Sequence, residues 1–137
     1  MPVVQFSNRD LLRGKIVEAA WYRMHIESVG EEPSKDGKST NYPVEGTIQF
    51  NGDNGSTAFK DVPITWNFNS KAMGFSTGFL RAFGVDVQPN VRYDLKSAEG
   101  KDLDVFVENG TYNNRIVNRV EHKYRPVIPE VTAVPTT

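Results

Sequence analysis

The sequence predicts a mainly-β protein, a small antiparallel barrel of about five strands with one short helix between the third and fourth strands. Three observations carry this prediction. Apolar and polar residues alternate over several short segments, which is the period of a strand with one buried face. Clusters of turn residues, such as Asn51–Gly55, separate these segments. One stretch in the middle of the chain has helical spacing instead.

The first half of the chain supplies three predicted strands. The first spans Leu11–Val29 with a bend near Ala19-Ala20, the second spans Val44–Phe50 and the third spans Ala58–Phe68. Within the first, Tyr22, Met24 and Ile26 alternate with Trp21, Arg23 and His25. Pro63 inside the third predicts an edge strand or a bulge. The polar segment Gly30–Asn41 between the first two predicts a long mobile loop. The third strand places one apolar set, predicted to be core, on a single face: Val62, Ile64, Trp66 and Phe68.

The helix is predicted between Ser70 and Phe83. Phe75, Phe79 and Phe83 recur every four residues, which puts them on one face as a core stripe. Gly84 is a natural stop. After it, Val91–Leu95 is a candidate for a further short strand.

The chain from Gly100 to Pro126 predicts a closing hairpin. Leu103, Val105 and Val107 alternate with polar residues and with Phe106, which therefore points outward. Asn109-Gly110 and Asn113-Asn114 both have turn chemistry, because Gly and Asn tolerate positive φ. Strands, then one helix, then a hairpin is the layout of the OB-fold. Element order alone does not separate it from a small β-sandwich with a helix.

Composition defines the domain organisation and excludes several classes of protein. With 137 residues, 38% of them hydrophobic, the chain suits one compact domain. We assign residues 1–10 to an N-terminal lead, 11–126 to the domain and 127–137 to an extended or disordered tail. The absence of cysteine excludes disulfides and thiolate metal sites. We find no apolar run of membrane-spanning length and no signal-peptide pattern.

Charge is unevenly distributed along the chain. The net charge of −1 argues against binding to duplex DNA through bulk charge. Between Tyr112 and Arg125, however, four Lys or Arg residues accompany a single acid, Glu121. Tyr112 and Tyr124 lie among these cations. Cations that pair with phosphate, beside rings that stack on bases, are what single-stranded nucleic acid requires.

The candidate nucleic-acid contacts are aromatic and basic residues on outward strand faces and in loops. For several of them a purely structural role remains an alternative. The Trp at position 21 could be half-buried under a loop, the Phe at position 59 could pack on the barrel rim, and the charged face of the last strand could simply be solvated. The candidates are Trp21, Arg23, Lys35, Lys38, Phe59, Lys60, Phe106, Tyr112, Arg115, Arg119 and Lys123.

The sequence offers little for catalysis. It contains no phosphate-cradling Gly-rich motif, no dinucleotide fingerprint and no serine-nucleophile motif. Its two histidines, His25 and His122, have no carboxylate at ligand spacing. We therefore expect a protein that is not an enzyme and that uses no cofactor or metal.

Several short motifs resemble small phage-encoded single-stranded-DNA-binding proteins of the OB-fold type. The likeness covers roughly residues 11–126 and lies in a helix ending Phe-Leu-Arg-Ala-Phe-Gly84, Gly100-Lys101 before an alternating strand, and Tyr112 followed by Asn118-Arg119-Val120 and Tyr124-Arg125-Pro126. The resemblance implies low-specificity binding of single-stranded DNA in phage DNA replication or recombination. It also implies a location in the host cytoplasm. It implies replication or recombination proteins as further partners and no membrane association.

A different class of function remains an alternative. The chain could be a structural or protein-interaction β-domain, such as a virion component or a host-factor-binding protein, with its aromatics in core and interface. The preference for DNA or RNA, the site size and the oligomeric state, with a homodimer among the options, are left open.

Overall fold

A computed structural model describes residues 2–127, so the predicted tail lies outside the described residues apart from Val127. Two short α-helices and six strands form in chain order. They are α1 (Asn8–Leu12), β1 (Ala20–Val29), β2 (Glu32–Pro33), β3 (Thr40–Asn51), β4 (Pro63–Asn69), α2 (Ser76–Ala82), β5 (Asp102–Tyr112) and β6 (Arg115–Arg125).

The six strands form one sheet, and every ladder between them is antiparallel. The long strands follow the order β4-β3-β1-β5-β6, and the short β2 pairs with the start of β3. Since α2 lies between the third and fourth long strands, the predicted mainly-β fold with an OB-like order is confirmed. No ladder in the described chain joins β4 to β6, but the rings of Trp66 and Tyr124 bring these edges within 6.4 Å between centroids.

The core fills the inner face of this sheet. In β1, Tyr22, Met24 and Ile26 are buried while Trp21, Arg23 and His25 are half-exposed, as the alternation predicts. Trp66 is also a core residue, as predicted. The helix α2 packs Phe79 against Phe68 and Tyr124 at one end of the sheet, with ring centroids 5.2 and 5.4 Å apart.

The predicted helical stripe is only partly correct. Phe79 is fully buried and Phe83 is half-buried, but Phe75 is 57% exposed. It belongs to a 3₁₀ segment, Ser70–Phe75, that precedes α2 and winds more tightly. The change of period rotates Phe75 away from the face that the other two share.

The N-terminal region differs from the prediction. The lead, residues 1–10, already contains most of α1, which begins after a Ser7 cap whose hydroxyl accepts from the Asp10 N–H. The Asp10 carboxylate accepts from the Ser7 N–H in return. This capping box uses Asp where Glu or Gln is usual, and only five residues follow it, too few to show a period. The first strand starts at Ala20, not near Leu11.

Four other predicted elements also differ. The Gly30–Asn41 segment is largely a hairpin, because Glu32–Pro33 pairs with Thr40 and Asn41. The third long strand starts at Pro63 rather than Ala58, after a turn in which Asp61 takes a φ of 72°. Val91–Leu95 forms no strand, and a 3₁₀ turn over Leu95–Ala98 follows it. Asn109-Gly110 lies inside β5, and the hairpin turn is Asn113-Asn114, with φ values of 50° and 63°.

Two asparagine side chains tie the segment before β1 to the hairpin. The Asn118 amide accepts from the Val17 N–H at 3.0 Å and donates to the Lys15 carbonyl at 2.8 Å. Asn109, its cross-strand partner, donates to the Val17 carbonyl at 2.8 Å. These side-chain bonds connect the segment to the hairpin where no ladder of backbone hydrogen bonds in the described residues does so. They hold Val17, which is 1% exposed, in the core.

Replacing Asn118 by Ala should therefore destabilise the protein by about 1–3 kcal/mol, because a part-buried N–H and a carbonyl lose their partner. Urea unfolding measures this. Gln88→Ala removes an amide from an exposed position and is the control, expected within about 0.5 kcal/mol of the parent. Equal stability of the two variants would contradict the role given to Asn118.

His122 lies in an irregular part of β6. Its imidazole stacks on Phe75 at 4.8 Å and contacts the hydroxyl of Tyr124 at 3.0 Å through Nδ1. Burial lowers the pKa of this imidazole below its ordinary value of 6.5, although the neighbouring Glu121 acts in the opposite direction. The folded protein thus favours the neutral ring.

Because the unfolded chain binds this proton more readily, the unfolding free energy should fall as the pH drops from about 7 through the lowered pKa. His122→Asn, which tolerates the positive φ of 59° at this position, should remove that contribution. The difference in unfolding free energy between parent and variant, followed from pH 8 to pH 5, is the measurement. A difference that does not change with pH would refute the assignment.

Candidate nucleic-acid interface

One outward face of the sheet gathers aromatic rings and cations from four adjacent strands. Trp21 on β1 and Phe106 on β5 are cross-strand partners, and their rings meet edge to face with centroids 5.4 Å apart. Both side chains are half-buried. We call this surface the aromatic–cation face, and its members are Trp21, Arg23, Phe50, Phe106, Lys123 and Arg125.

Each ring of this face carries a cation. The Arg125 guanidinium lies 4.5 Å from the Trp21 ring centroid, and the Lys123 ammonium lies 5.4 Å from that of Phe106. The guanidinium of Arg23 lies 5.1 Å from the Phe50 ring. These distances are within the range of cation–π attraction. The face therefore presents aromatic rings that each have a positive charge over one side of the ring.

A buried carboxylate holds two of the cations. Asp104 is 3% exposed, and its two oxygens accept from Arg23 Nε at 2.6 Å and Arg125 Nε at 2.9 Å. Burial by itself would lower the pKa of Arg125, but the hydrogen bonds to Asp53 and Asp104 outweigh it and raise that pKa. The three charged groups join β1, β5 and β6 on the outer side of the sheet.

The loop after β3 closes over this carboxylate. The Gly52 N–H donates to the Trp21 carbonyl at 2.8 Å, and Asp53 accepts from Arg125 Nη2 at 2.7 Å. A Cβ on Gly52 would lie 2.9 Å from an oxygen of Asp104, so only glycine allows this approach.

Acidic side chains balance the remaining cations. Glu108 lies 3.6 Å from Lys123, and Glu121 lies 3.7 Å from Arg119. These pairs are exposed and stabilise the fold little. The positive charges of Lys123 and Arg119 are therefore balanced by neighbouring carboxylates.

Two bulges shape this face. Arg23 pairs with Phe50, but Met24 pairs with Ile48, so Gln49 is an extra residue and Phe50 turns outward. On β6, three residues, Glu121 to Lys123, lie opposite Phe106 alone, because Val105 pairs with Tyr124 and Val107 with Val120. Bulges often reorient side chains next to functional surfaces.

The structure brings together four of the predicted contacts, Trp21, Arg23, Phe106 and Lys123. Arg119 is close to them, since it lies opposite Glu108 on the neighbouring strand. Tyr112 and Arg115 form the exposed base of the Asn113-Asn114 turn, further along the same hairpin.

Four predicted contacts lie elsewhere. Lys35 and Lys38 belong to the β2–β3 hairpin, beside Thr40, which is ten residues from Phe50, or up to roughly 33 Å along β3. Phe59 packs edge to face on the buried Tyr22 with centroids 6.2 Å apart, and Lys60 is exposed in the same turn. For Phe59 the structure favours rim packing over a finger on the ligand.

Sequence reasoning missed Phe50, Arg125, Asp53 and Asp104. Arg125 could have been predicted from the sequence, because it is two residues beyond Lys123 and shares its strand face. The outward turn of Phe50 depends on a bulge that the alternation does not reveal. The acidic partners, Asp53 and Asp104, meet their arginines only through contacts between segments far apart in sequence. Neither the bulge nor these contacts can be recognised from a local sequence pattern.

The chain matches no protein-family model and no curated protein. Within residues 2–127, no helix is long and apolar enough to cross a membrane. In the same residues, no three side chains of His, Asp or Glu come together as metal donors.

Removing the buried carboxylate should destabilise the fold. Asp104→Ala leaves Arg23 and Arg125 without their shared partner, at a cost on the order of 3 kcal/mol. Asp102→Ala, two residues away on the same face, breaks an exposed contact to His25 and a long, exposed hydrogen bond from Gln49 Nε2, and should cost at most about 1 kcal/mol. Chemical denaturation of both variants makes the comparison, and similar losses would refute the special position of Asp104.

Proposed function

We propose that this protein binds single-stranded nucleic acid, with little sequence preference, through the aromatic–cation face. The observation that carries the proposal is the adjacent pair Trp21 and Phe106, each with a cation at its ring. Every base has a π-face, so stacking on such rings is tolerant of sequence. Lys and Arg beside the rings supply contacts for the phosphates that follow each base.

The charge of the protein favours single strands over duplex. A duplex keeps its bases stacked inside, so the rings of this face would find no partner, and binding would depend on net positive charge. The chain has a net charge of −1, and the cations of the face are paired with acids. Stacking must then supply much of the affinity, which only unpaired bases allow.

The β6 strand suggests a path for the sugar–phosphate backbone. Its outward cations continue from Arg125 and Lys123 to Arg119, and Arg115 at the turn lies beside the exposed Tyr112. A nucleic-acid strand whose bases stack on Trp21 and Phe106 could follow this row of cations toward the hairpin. Arg115 and Arg119 would then be outer phosphate contacts.

The biological setting follows from the resemblance to small phage single-stranded-DNA-binding proteins. It favours DNA over RNA as the ligand, and a non-enzymatic role in phage DNA replication or recombination. The host cytoplasm is the proposed location, and replication or recombination proteins are the proposed further partners.

Protein interaction is a second candidate, and the N-terminal segment favours it. Val3, Val4, Phe6 and Leu11 are 63–90% exposed, which is unusual for large apolar side chains so close in sequence. If the protein is an interaction domain instead, this segment and not the aromatic–cation face should determine binding.

Truncating the two rings tests the proposal. Trp21→Ala and Phe106→Ala should each weaken binding to oligo-dT by about 5- to 150-fold, the equivalent of one base stack, or 1–3 kcal/mol. Fluorescence anisotropy of a labelled oligonucleotide measures the affinity. Phe75→Ala removes an exposed ring that stacks on His122, outside the face, and is the matched control, expected to bind like the parent.

Thermal unfolding shows that each variant is folded before its affinity is compared. Unchanged affinity in both ring variants, or binding of a duplex as tight as that of oligo-dT of equal length, would overturn the proposal.

A further inference from the structure

We propose that Asp53 and Glu108 occupy, in the free protein, the places where phosphates of a bound strand pair with Arg125 and Lys123. A ligand must displace these two carboxylates, so the protein restrains its own site. This inference rests on the proposed function and concerns the regulation of the same face.

The two carboxylates that bind Arg125, those of Asp104 and Asp53, differ in exposure. We therefore assign a structural role to one and a restraining role to the other. Asp104 binds Nε from the buried side, with its side chain 5% exposed. Asp53 binds Nη2 from the solvent side, with its side chain 58% exposed. If Asp53 leaves, Asp104 still fixes the guanidinium over Trp21. The outer edge of that guanidinium then faces solvent, and a phosphate oxygen fits it as a carboxylate oxygen does.

Glu108 restrains Lys123 in a similar manner. The two side chains are 3.6 Å apart and partly exposed, and the ammonium lies over the Phe106 ring. An exposed ion pair of this kind is weak and exchanges readily. Each carboxylate thus lies beside a cation that covers one of the two stacking rings.

This arrangement has a consequence for affinity. Neutralising either carboxylate keeps the shape of the side chain but leaves the cation free for phosphate. Asp53→Asn and Glu108→Gln should each tighten oligo-dT binding by about two- to fivefold, the strength of one exposed ion pair. Each should also steepen the dependence of log K on log salt by about 0.7, because one more counterion is released.

The control is Asp86→Asn. It makes the same change in net charge at an exposed residue of the connection between α2 and β5. It should change affinity by less than either test variant. Equal tightening in the control would mean that net charge alone is responsible, and would overturn the inference.

A second measurement uses an inorganic anion and no nucleic acid. Iodide quenches exposed indoles, and Trp66 is only 8% exposed, so quenching reports mainly on Trp21. Asp53→Asn should increase iodide quenching, because Arg125 beside Trp21 becomes available to anions. Trp21→Phe identifies the residual signal of Trp66.

The two measurements distinguish the failure of each proposal. Increased iodide quenching with tighter oligo-dT binding supports the inference. Increased quenching when no variant binds oligo-dT overturns the proposed function but keeps Asp53 as the group that restrains an anion site. Unchanged quenching, or unchanged oligo-dT affinity in variants of a protein that does bind, overturns the inference.

Discussion

The outer face of this protein depends on one buried carboxylate. Asp104 is charged, almost fully covered, and shared by Arg23 and Arg125 from the two flanking strands. Removing a charge from water is costly, and two hydrogen-bonded guanidinium groups offset that cost here. Because Arg125 then lies against Trp21, and Gly52 must approach Asp104 closely, the carboxylate also determines where the β3–β4 loop and the first aromatic ring lie. Without this carboxylate, Arg23 and Arg125 would lose the partner that they share on this face.

The same face combines attraction and restraint. Its rings offer stacking area, and its cations lie at positions suited to phosphate, yet nearby acids pair with them in the free protein. A protein of near-zero net charge with such a face would not collect duplex DNA through bulk charge. Selectivity for unpaired strands would follow from stacking, while the carboxylates set how readily a strand enters. In this proposal, positioning by buried charge and restraint by exposed charge are separate tasks, the first assigned to Asp104 and the second to Asp53 and Glu108.

Local patterns predicted the inner face of the sheet well. Alternation separated Tyr22, Met24 and Ile26 from the face of Trp21 and Arg23, it placed Phe106 outside, and the order of elements predicted the OB-like topology. The failures have a common physical origin, since they involve non-local pairing or local changes of period. The β2–β3 hairpin, the bulge that turns Phe50 outward and the 3₁₀ turn that exposes Phe75 each depend on contacts that a single segment does not encode. The partners of Asp104 likewise come from strands 81 and 21 residues away in sequence.

The most direct test of this account follows the two indole N–H signals by nuclear magnetic resonance during a titration with oligo-dT. Trp21 lies on the aromatic–cation face and Trp66 lies in the core, so one spectrum observes both environments at once. We predict that the Trp21 signal shifts progressively and saturates while the Trp66 signal stays in place. A stationary Trp21 signal, with shifts confined to the N-terminal segment or to the β2–β3 hairpin, would contradict it.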